Sequence, residues 1–297
     1  MYELIELGMK TYYIESPVKT GIYKMSETEV LLIDSGNDKD AAKKILKILA
    51  EENWNLSLII NTHSHADHIG GNAYLAEKTG CKILSVGIET AFIKYPELES
   101  SFLYGAYPPK PLRNKFLMAK ASNCEAIEDY EAENGKIEGI EWTRLDGHTI
   151  GMIGIKTSDD VWFIGDAVNG PHIIEKYHVS FVYDIKRYLE TFEHLKTLEG
   201  RKFVAAHSKV ADELSELVQV NLEKTLEIIN LIQNVCRKPM SFEQLLKAIF
   251  DHYELNMDIN QYVLVGTSVK AYLSYLYDEG KMTYGIDENQ LKWTTLD

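Results

Sequence analysis

At 297 residues the chain can bury a sizeable core, as one large domain or as one domain with a smaller companion. Its 45% hydrophobic and 26% charged content is that of a water-soluble folded protein. A net charge of −14 argues against a nucleic-acid backbone or an anionic membrane surface as partner, because both call for clustered Lys and Arg. Cys81, Cys124 and Cys236 are far apart, odd in number and form no CxxC, which fits reduced thiols better than a disulfide framework. No apolar run is long enough to span a bilayer, and the opening MYELIELGMK lacks a basic segment followed by an apolar run. The expectation is a cytoplasmic protein with no signal peptide and no membrane span.

The first expected elements are strands at 2–7, 11–14, 20–24 and 30–33, short runs rich in β-branched or aromatic residues between turn signals. The last runs into LLIDSGND, which places Asp34 where a buried strand meets a glycine-containing turn. Residues 38–53 predict an amphipathic helix, with Ala42, Ile45, Leu46 and Leu49 at i, i+3, i+4, i+7 and Asn37 or Asp38 as cap. The apolar run 58–60 then enters NTHSHADHIGG, where His63, His65, Asp67 and His68 fall within six positions. Imidazole nitrogen suits zinc, iron and similar ions, and a carboxylate adds oxygen ligation and charge. Such a cluster, on the turn leaving a buried strand, is held rigidly while staying open to solvent. A helix at 72–78 and a strand at 81–85 complete a strand–helix–strand alternation, the mark of an α/β layer.

Residues 89–126 break this rhythm. Tyr95, Tyr104, Tyr107, Lys110, Arg113 and Lys115 are interleaved with Pro96, Pro108, Pro109 and Pro111, a pattern of either a substrate-selecting lid or a peripheral helical insertion. A strand at 140–145 leads into DGHTIG, with His148 in a turn-rich context, and a strand at 161–164 ends at Gly165-Asp166. His172 and His178 read as surface or pocket histidines, and His194 as a solvated position on a helix at 184–198. The strand 203–206 ends at His207-Ser208. From residue 212 the character changes, to helices at 213–235, 241–253 (capped by Ser241, with Glu243 close behind) and 261–278, then a hairpin of 281–284 with 290–295.

HSHADH, the Asp-x-Gly at 34–36, GHTIG at 147–151, and Asp166 and His207 just beyond strand ends together resemble the metallo-beta-lactamase superfamily, over roughly residues 1–210. The resemblance implies an α+β fold, two sheets and flanking helices in αββα layers, with 1–210 as the catalytic domain. Residues 211–297 resemble a small winged-helix-like helical appendage. Acidic residues outnumber basic ones there roughly twofold, and the helix in the recognition position carries only Lys270, so the expected role is packing, oligomerisation or pocket closure rather than DNA reading.

Carried over position by position, the resemblance implies one metal at His63, His65 and His148, a second at Asp67, His68 and His207, Asp166 as bridging carboxylate, and Asp34 supporting the metal loop. It implies two divalent ions, zinc first, with iron or manganese open, and a metal-bound hydroxide that cleaves a small thioester, ester or lactone in the manner of glyoxalase II. Asp67 then has a second, catalytic role in orienting the hydroxide. The partners expected are a small-molecule substrate and no nucleic acid, with a homo-oligomer left open. Two other readings share the motif: a persulfide-dioxygenase-like oxidoreductase using one iron at His63, His65 and Asp166, and a nuclease, which the acidic charge disfavours.

Overall fold

Residues 30–33 are apolar at every position because both faces of their strand are covered. The computed structural model describes residues 2–127 and 132–296; Met1, residues 128–131 and Asp297 lie outside the described residues. The chain begins with β1 (Glu3–Glu6), β2 (Thr11–Glu15), β3 (Thr20–Lys24), β4 (Glu29–Ile33), α1 (Lys39–Glu51) and β5 (Asn55–Ile60). It continues with the single turn α2 (Ala66–Ile69), α3 (Asn72–Thr79), β6 (Lys82–Ser85), α4 (Glu89–Lys94), α5 (Glu97–Tyr104), a 3-10 turn (Lys110–Leu112) and β7 (Glu125–Ala126). The second half carries β8 (Asn134–Ile137), β9 (Ile140–Arg144), β10 (Ile153–Lys156), β11 (Val161–Phe163), α6 (Pro171–Tyr177), α7 (Ile185–Leu195) and β12 (Lys202–Val204). It closes with α8 (Ser215–Val235), β13 (Met240–Ser241), α9 (Phe242–His252), α10 (Ile259–Asp278), β14 (Met282–Asp287) and β15 (Gln290–Thr295).

Strands β1 to β7 form one sheet in chain order, and β12-β11-β10-β9-β8 form the other. Side-chain alternation sorts the core into layers. Leu31, Ile33, Leu58 and Ile60 face Trp142, Ile153, Ile155, Phe163 and Val204 between the two sheets. The alternate residues Val30, Leu32 and Ile59 face outward onto Ala42, Ile45 and Leu49 of α1. On the other side Trp162 and Phe203 pack outward against Phe192 and Leu195 of α7. The expected αββα sandwich is what the chain builds. Among the described residues no helix is long and apolar enough to cross a membrane.

Two short strands are absent from the sequence reading. The short, glycine-containing strands β8 and β10 have little local signal; each is a strand because it pairs antiparallel with β9. The segment 89–126 forms two short helices and a turn, and it buries Ile93, Leu103, Leu112 and Leu117.

The C-terminal segment runs helix, short strand, helix, helix, hairpin, and its three strands pair in the order β13-β15-β14. Ser241 caps α9 in a capping box with Gln244 at the third helical position, not with Glu243. Val218, Ile228 and Ile232 of α8 and Val269, Tyr272 and Leu276 of α10 join the same apolar cluster as Trp162 and Phe203.

Candidate metal centre

The seven expected ligands, with Asp34 beside them, sit at one rim of the sandwich, beyond strand ends. β5 delivers His63, His65, Asp67 and His68 on the turn that follows it. The parallel neighbour β4 delivers Asp34. From the second sheet the β9–β10 connection delivers His148, and the parallel pair β11 and β12 delivers Asp166 and His207. One ligand atom from each of His63, His65, His148 and Asp166 lies within 4.8 Å of the others, and the same holds for Asp67, His68 and His207. The two groups meet at Asp166, whose Oδ1 is 3.3 Å from His68 Nε2 and whose Oδ2 is 3.5 Å from both His148 Nε2 and His207 Nε2.

Outer hydrogen bonds aim the rings. Thr62 Oγ1 donates to Asp34 Oδ2 at 2.8 Å, so it accepts from His63 Nδ1 at 3.0 Å. His68 Nδ1 donates to Asp34 Oδ2 at 2.8 Å, and His148 Nδ1 to the Phe181 carbonyl at 3.0 Å. These partners place a proton on Nδ1 of all three rings and turn each Nε2 toward the cluster. His65 is turned the other way: its Nδ1 faces His63 Nε2 at 3.2 Å and His148 Nε2 at 3.0 Å, and its Nε2 looks toward Glu99 Oε1 at 3.6 Å. Asp34 also accepts from Thr62 N at 2.8 Å, and it adopts a left-handed backbone conformation (φ 63°) to do so. Two glycines follow from close packing: a Cβ on Gly70 would lie 2.3 Å from the Asn37 carbonyl oxygen, and one on Gly71 2.3 Å from that of Ser35.

The electrostatics favour cations. Burial, with the neighbouring His68, holds His63 well below the usual histidine range, and burial with His148 brings His65 down to about 3. Burial also lowers His148. These rings are therefore neutral, the form that ligates. Burial opposes charge on Asp166 and Asp67, but His207 and His68 offset it and both carboxyls stay ionised, Asp67 at about 2. Burial likewise opposes charge on His68, and Asp166 and Asp34 overcome it, so His68 is raised. The site tests well for a metal on its own atoms. His68 Nε2 and Asp166 Oδ1 are buried without a hydrogen-bond partner, although buried polar atoms are nearly always paired. Three imidazole nitrogens, His63 Nε2, His65 Nδ1 and His148 Nε2, also converge on one another, an arrangement that a cation suits.

Glu89, absent from the sequence reading, ties two ligand loops together. Its Oε2 accepts from Ser64 N at 2.9 Å and Ser64 Oγ at 2.5 Å, and its Oε1 accepts from Gly151 N at 2.9 Å. The only sequence signal was an acidic residue in the first turn after β6, which reads equally well as helix-dipole compensation. His178 stacks on Tyr253 with ring centres 4.6 Å apart, and His194 Nε2 meets Thr143 Oγ1 at 3.2 Å; neither they nor His172 belong to the two groups. Above the cluster opens a cavity of about 520 Å³, lined by His65, Asp67, His148, Asp166 and His207 below and by the 115–117 segment and α10 above.

An αββα sandwich with a cluster of histidines and carboxylates at one rim defines a class of metal-dependent hydrolases. The metallo-beta-lactamase superfamily model matches residues 15–207, and the chain belongs to that superfamily. A hydroxyacylglutathione hydrolase from Pelagibacter ubique is 39% identical over 62 residues, 21% of this chain and 25% of that protein. The atrochrysone carboxyl ACP thioesterase of Aspergillus fumigatus is 23% identical over 216 residues, 71% of this chain and 58% of that enzyme. The chain thus spans a quarter to rather more than half the length of these relatives. Among solved structures, a metallo-beta-lactamase family protein from Thermus thermophilus superposes with a TM-score of 0.75 at 18% identity, covering 98% of this chain and 100% of that one. A beta-lactamase domain protein from Burkholderia ambifaria gives 0.74 at 15% identity, covering 99% and 94%. At these identities the superpositions speak for the fold, through the C-terminal segment as well.

Proposed function

We propose that the protein hydrolyses a small thioester at a two-ion site, with His63, His65 and His148 holding one ion, Asp67, His68 and His207 the other, and Asp166 between them. The observation that carries this reading is the orphaned pair His68 Nε2 and Asp166 Oδ1: two buried polar atoms 3.3 Å apart without a hydrogen-bond partner call for positive charge on the His68 side, which a metal ion there supplies, as well as at the three-histidine side. The second group makes the two-ion hydrolase a better account than one iron at His63, His65 and Asp166, which leaves Asp67, His68 and His207 without a task. The histidine-rich set suits zinc, with iron and manganese compatible. The names of the two relatives above, both thioester-cleaving, support the substrate class.

Divalent ions held there supply an acidified water and polarisation of a carbonyl oxygen. The chain's own residues do the rest. Asp67, with Oδ2 at 3.3 Å from His207 Nε2, faces the cavity and can accept a water proton and hold the water's orientation. Asp34 and Thr62 fix the His63 and His68 rings, so little reorganisation is needed during turnover. In the net reaction water adds to the acyl carbon, the carbon–sulfur bond breaks, and the thiol leaves with a proton. Residues 1–210 supply this machinery; residues 211–297, winged-helix-like in order, wall the cavity. No side-chain nucleophile is needed.

The test is metal analysis of purified protein joined to thioester turnover before and after chelation. Two ions per chain, loss of activity on chelation and its return with zinc, manganese or iron are expected. Full turnover by metal-free protein overturns the mechanism. A single iron with oxygen uptake on persulfides, and activity that survives Asp67→Asn and His207→Ala, moves the assignment to the dioxygenase class.

A further inference from the structure

The cavity above the cluster is unequal in character. Polar residues including Asn37, Glu99, Ser180 and Gln261 line part of it, and beside them runs an apolar stretch built from Phe116, Val179, Phe181, Leu264 and Val265. The apolar wall starts at the cluster itself. The Phe181 ring stands edge-on to His65 with centres 5.1 Å apart and to His148 at 5.8 Å, so a group attached to a carbonyl at the cluster meets Phe181 within one or two bonds. From there the wall passes to α10, where Phe181 and Leu264 pack on the cluster of Leu103, Leu112, Leu117 and Val263. The same wall is fixed from both sides. Asn114 Nδ2 donates to Asn260 Oδ1 at 3.0 Å, which latches the 105–118 segment to the start of α10, and Val182 N donates to Ser268 Oγ at 3.0 Å.

Carrier thiols are rich in amides and charged groups. Buried against an apolar wall, each such group would lose its water partners at a cost of kilocalories. An alkyl or aryl group gains there instead. We propose that this wall is the acyl subsite and that the preferred thioester carries an apolar alkyl or aryl acyl group, selected by Leu264 of the C-terminal helix and Phe116 of the 105–118 segment. The proposal rests on the thioesterase reading above and sharpens it. It also predicts no advantage for a hydroxyacyl group, whose hydroxyl gains nothing from the Phe181, Leu264 and Val265 side chains.

The experiment uses the metal-loaded full chain and N-acetylcysteamine thioesters of acetate, lactate, hexanoate and benzoate. Expected is a hexanoyl- or benzoyl-over-acetyl ratio of kcat/KM of about tenfold or more, since one or a few methylenes in an apolar pocket discriminate on that order. Leu264→Ala and Phe116→Ala should each lower that ratio by about tenfold. Phe116 is 73% exposed, so its variant tests the pocket without threatening the core. Calorimetric binding of hexanoate to the same proteins separates the two layers of the claim. Thioester turnover with acetyl or lactoyl equal to hexanoyl, or a ratio unmoved in both variants, overturns the acyl subsite and leaves the hydrolase. No turnover of any thioester, with hexanoate binding that weakens in both variants, supports the apolar subsite and overturns the thioesterase assignment alone.

Discussion

Glu89 shows how much one buried carboxylate can organise. It takes three hydrogen bonds from Ser64 and Gly151, and so fixes the distance between the loop that carries His63 and His65 and the loop that carries His148. Burial raises its pKa, and those donors compensate. Replacing Glu89 by Ala strands two backbone N–H groups, each costing about 1–3 kcal/mol when buried and unpaired. The expected outcome is a lower melting temperature together with cobalt binding weakened about tenfold or more in an apo-protein titration. Unaltered cobalt affinity would reduce Glu89 to a purely structural role. Asp166 is the other decisive residue. Asp166→Asn keeps the shape, removes the charge and should reduce the metal content from two ions to one by elemental analysis, with turnover falling by orders of magnitude, each tenfold corresponding to about 1.4 kcal/mol of barrier. The fold should survive, because the packing around the sandwich core is untouched.

Among the elements, the 89–126 segment and α10 matter most for access to the site. The segment buries Leu103, Leu112 and Leu117 against Val263 of α10, so its position depends on the C-terminal helix rather than on the sheets below. Lys115 adds an ion pair to Asp38, the cap of α1, at 3.1 Å, but Lys115 is largely exposed and the pair contributes little. The Asn114–Asn260 bond is the better-shielded tie. Asn260→Ala removes a bond worth about 1 kcal/mol, which should speed hydrogen exchange of residues 97–118 by about fivefold while leaving exchange of the sheets unchanged. Equal acceleration throughout would mean that the segment does not open separately.

For the molecule as a whole, the continuous apolar cluster through Trp162, Phe192, Phe203, Val218, Ile232 and Tyr272 makes the C-terminal segment part of the same packing as the second sheet. A chain cut after Val210 would expose that sheet's outer helix layer and should be aggregated or molten, and the full chain should unfold in one calorimetric transition with equal calorimetric and van't Hoff enthalpies. Two separated transitions would show independent domains. The acidic balance of this segment disfavours binding to a phosphate backbone, and the Lys270 ammonium lies over the Phe242 ring, 5.1 Å from its centre.

The sequence by itself determined what is local and periodic. The unbroken apolar runs 30–33 and 58–60, the helical spacing of α1 and α7, and His63, His65, Asp67 and His68 within one turn all depend on neighbours a few residues away, so the strand ends and candidate ligands could be read directly. Residues His148, Asp166 and His207 were legible only through a resemblance, since nothing local brings a histidine 83 positions away to within 3.0 Å of His65. Tertiary structure alone decided the rest. β8 and β10 exist because β9 pairs with them. Glu89 became a clamp because α4 lies over both ligand loops. The C-terminal helix became a cavity wall because its apolar face was covered by the segment at 105–118. These are contacts between residues distant in sequence, whose loop-closure cost is met only when the whole fold forms, and no window along the chain contains both partners.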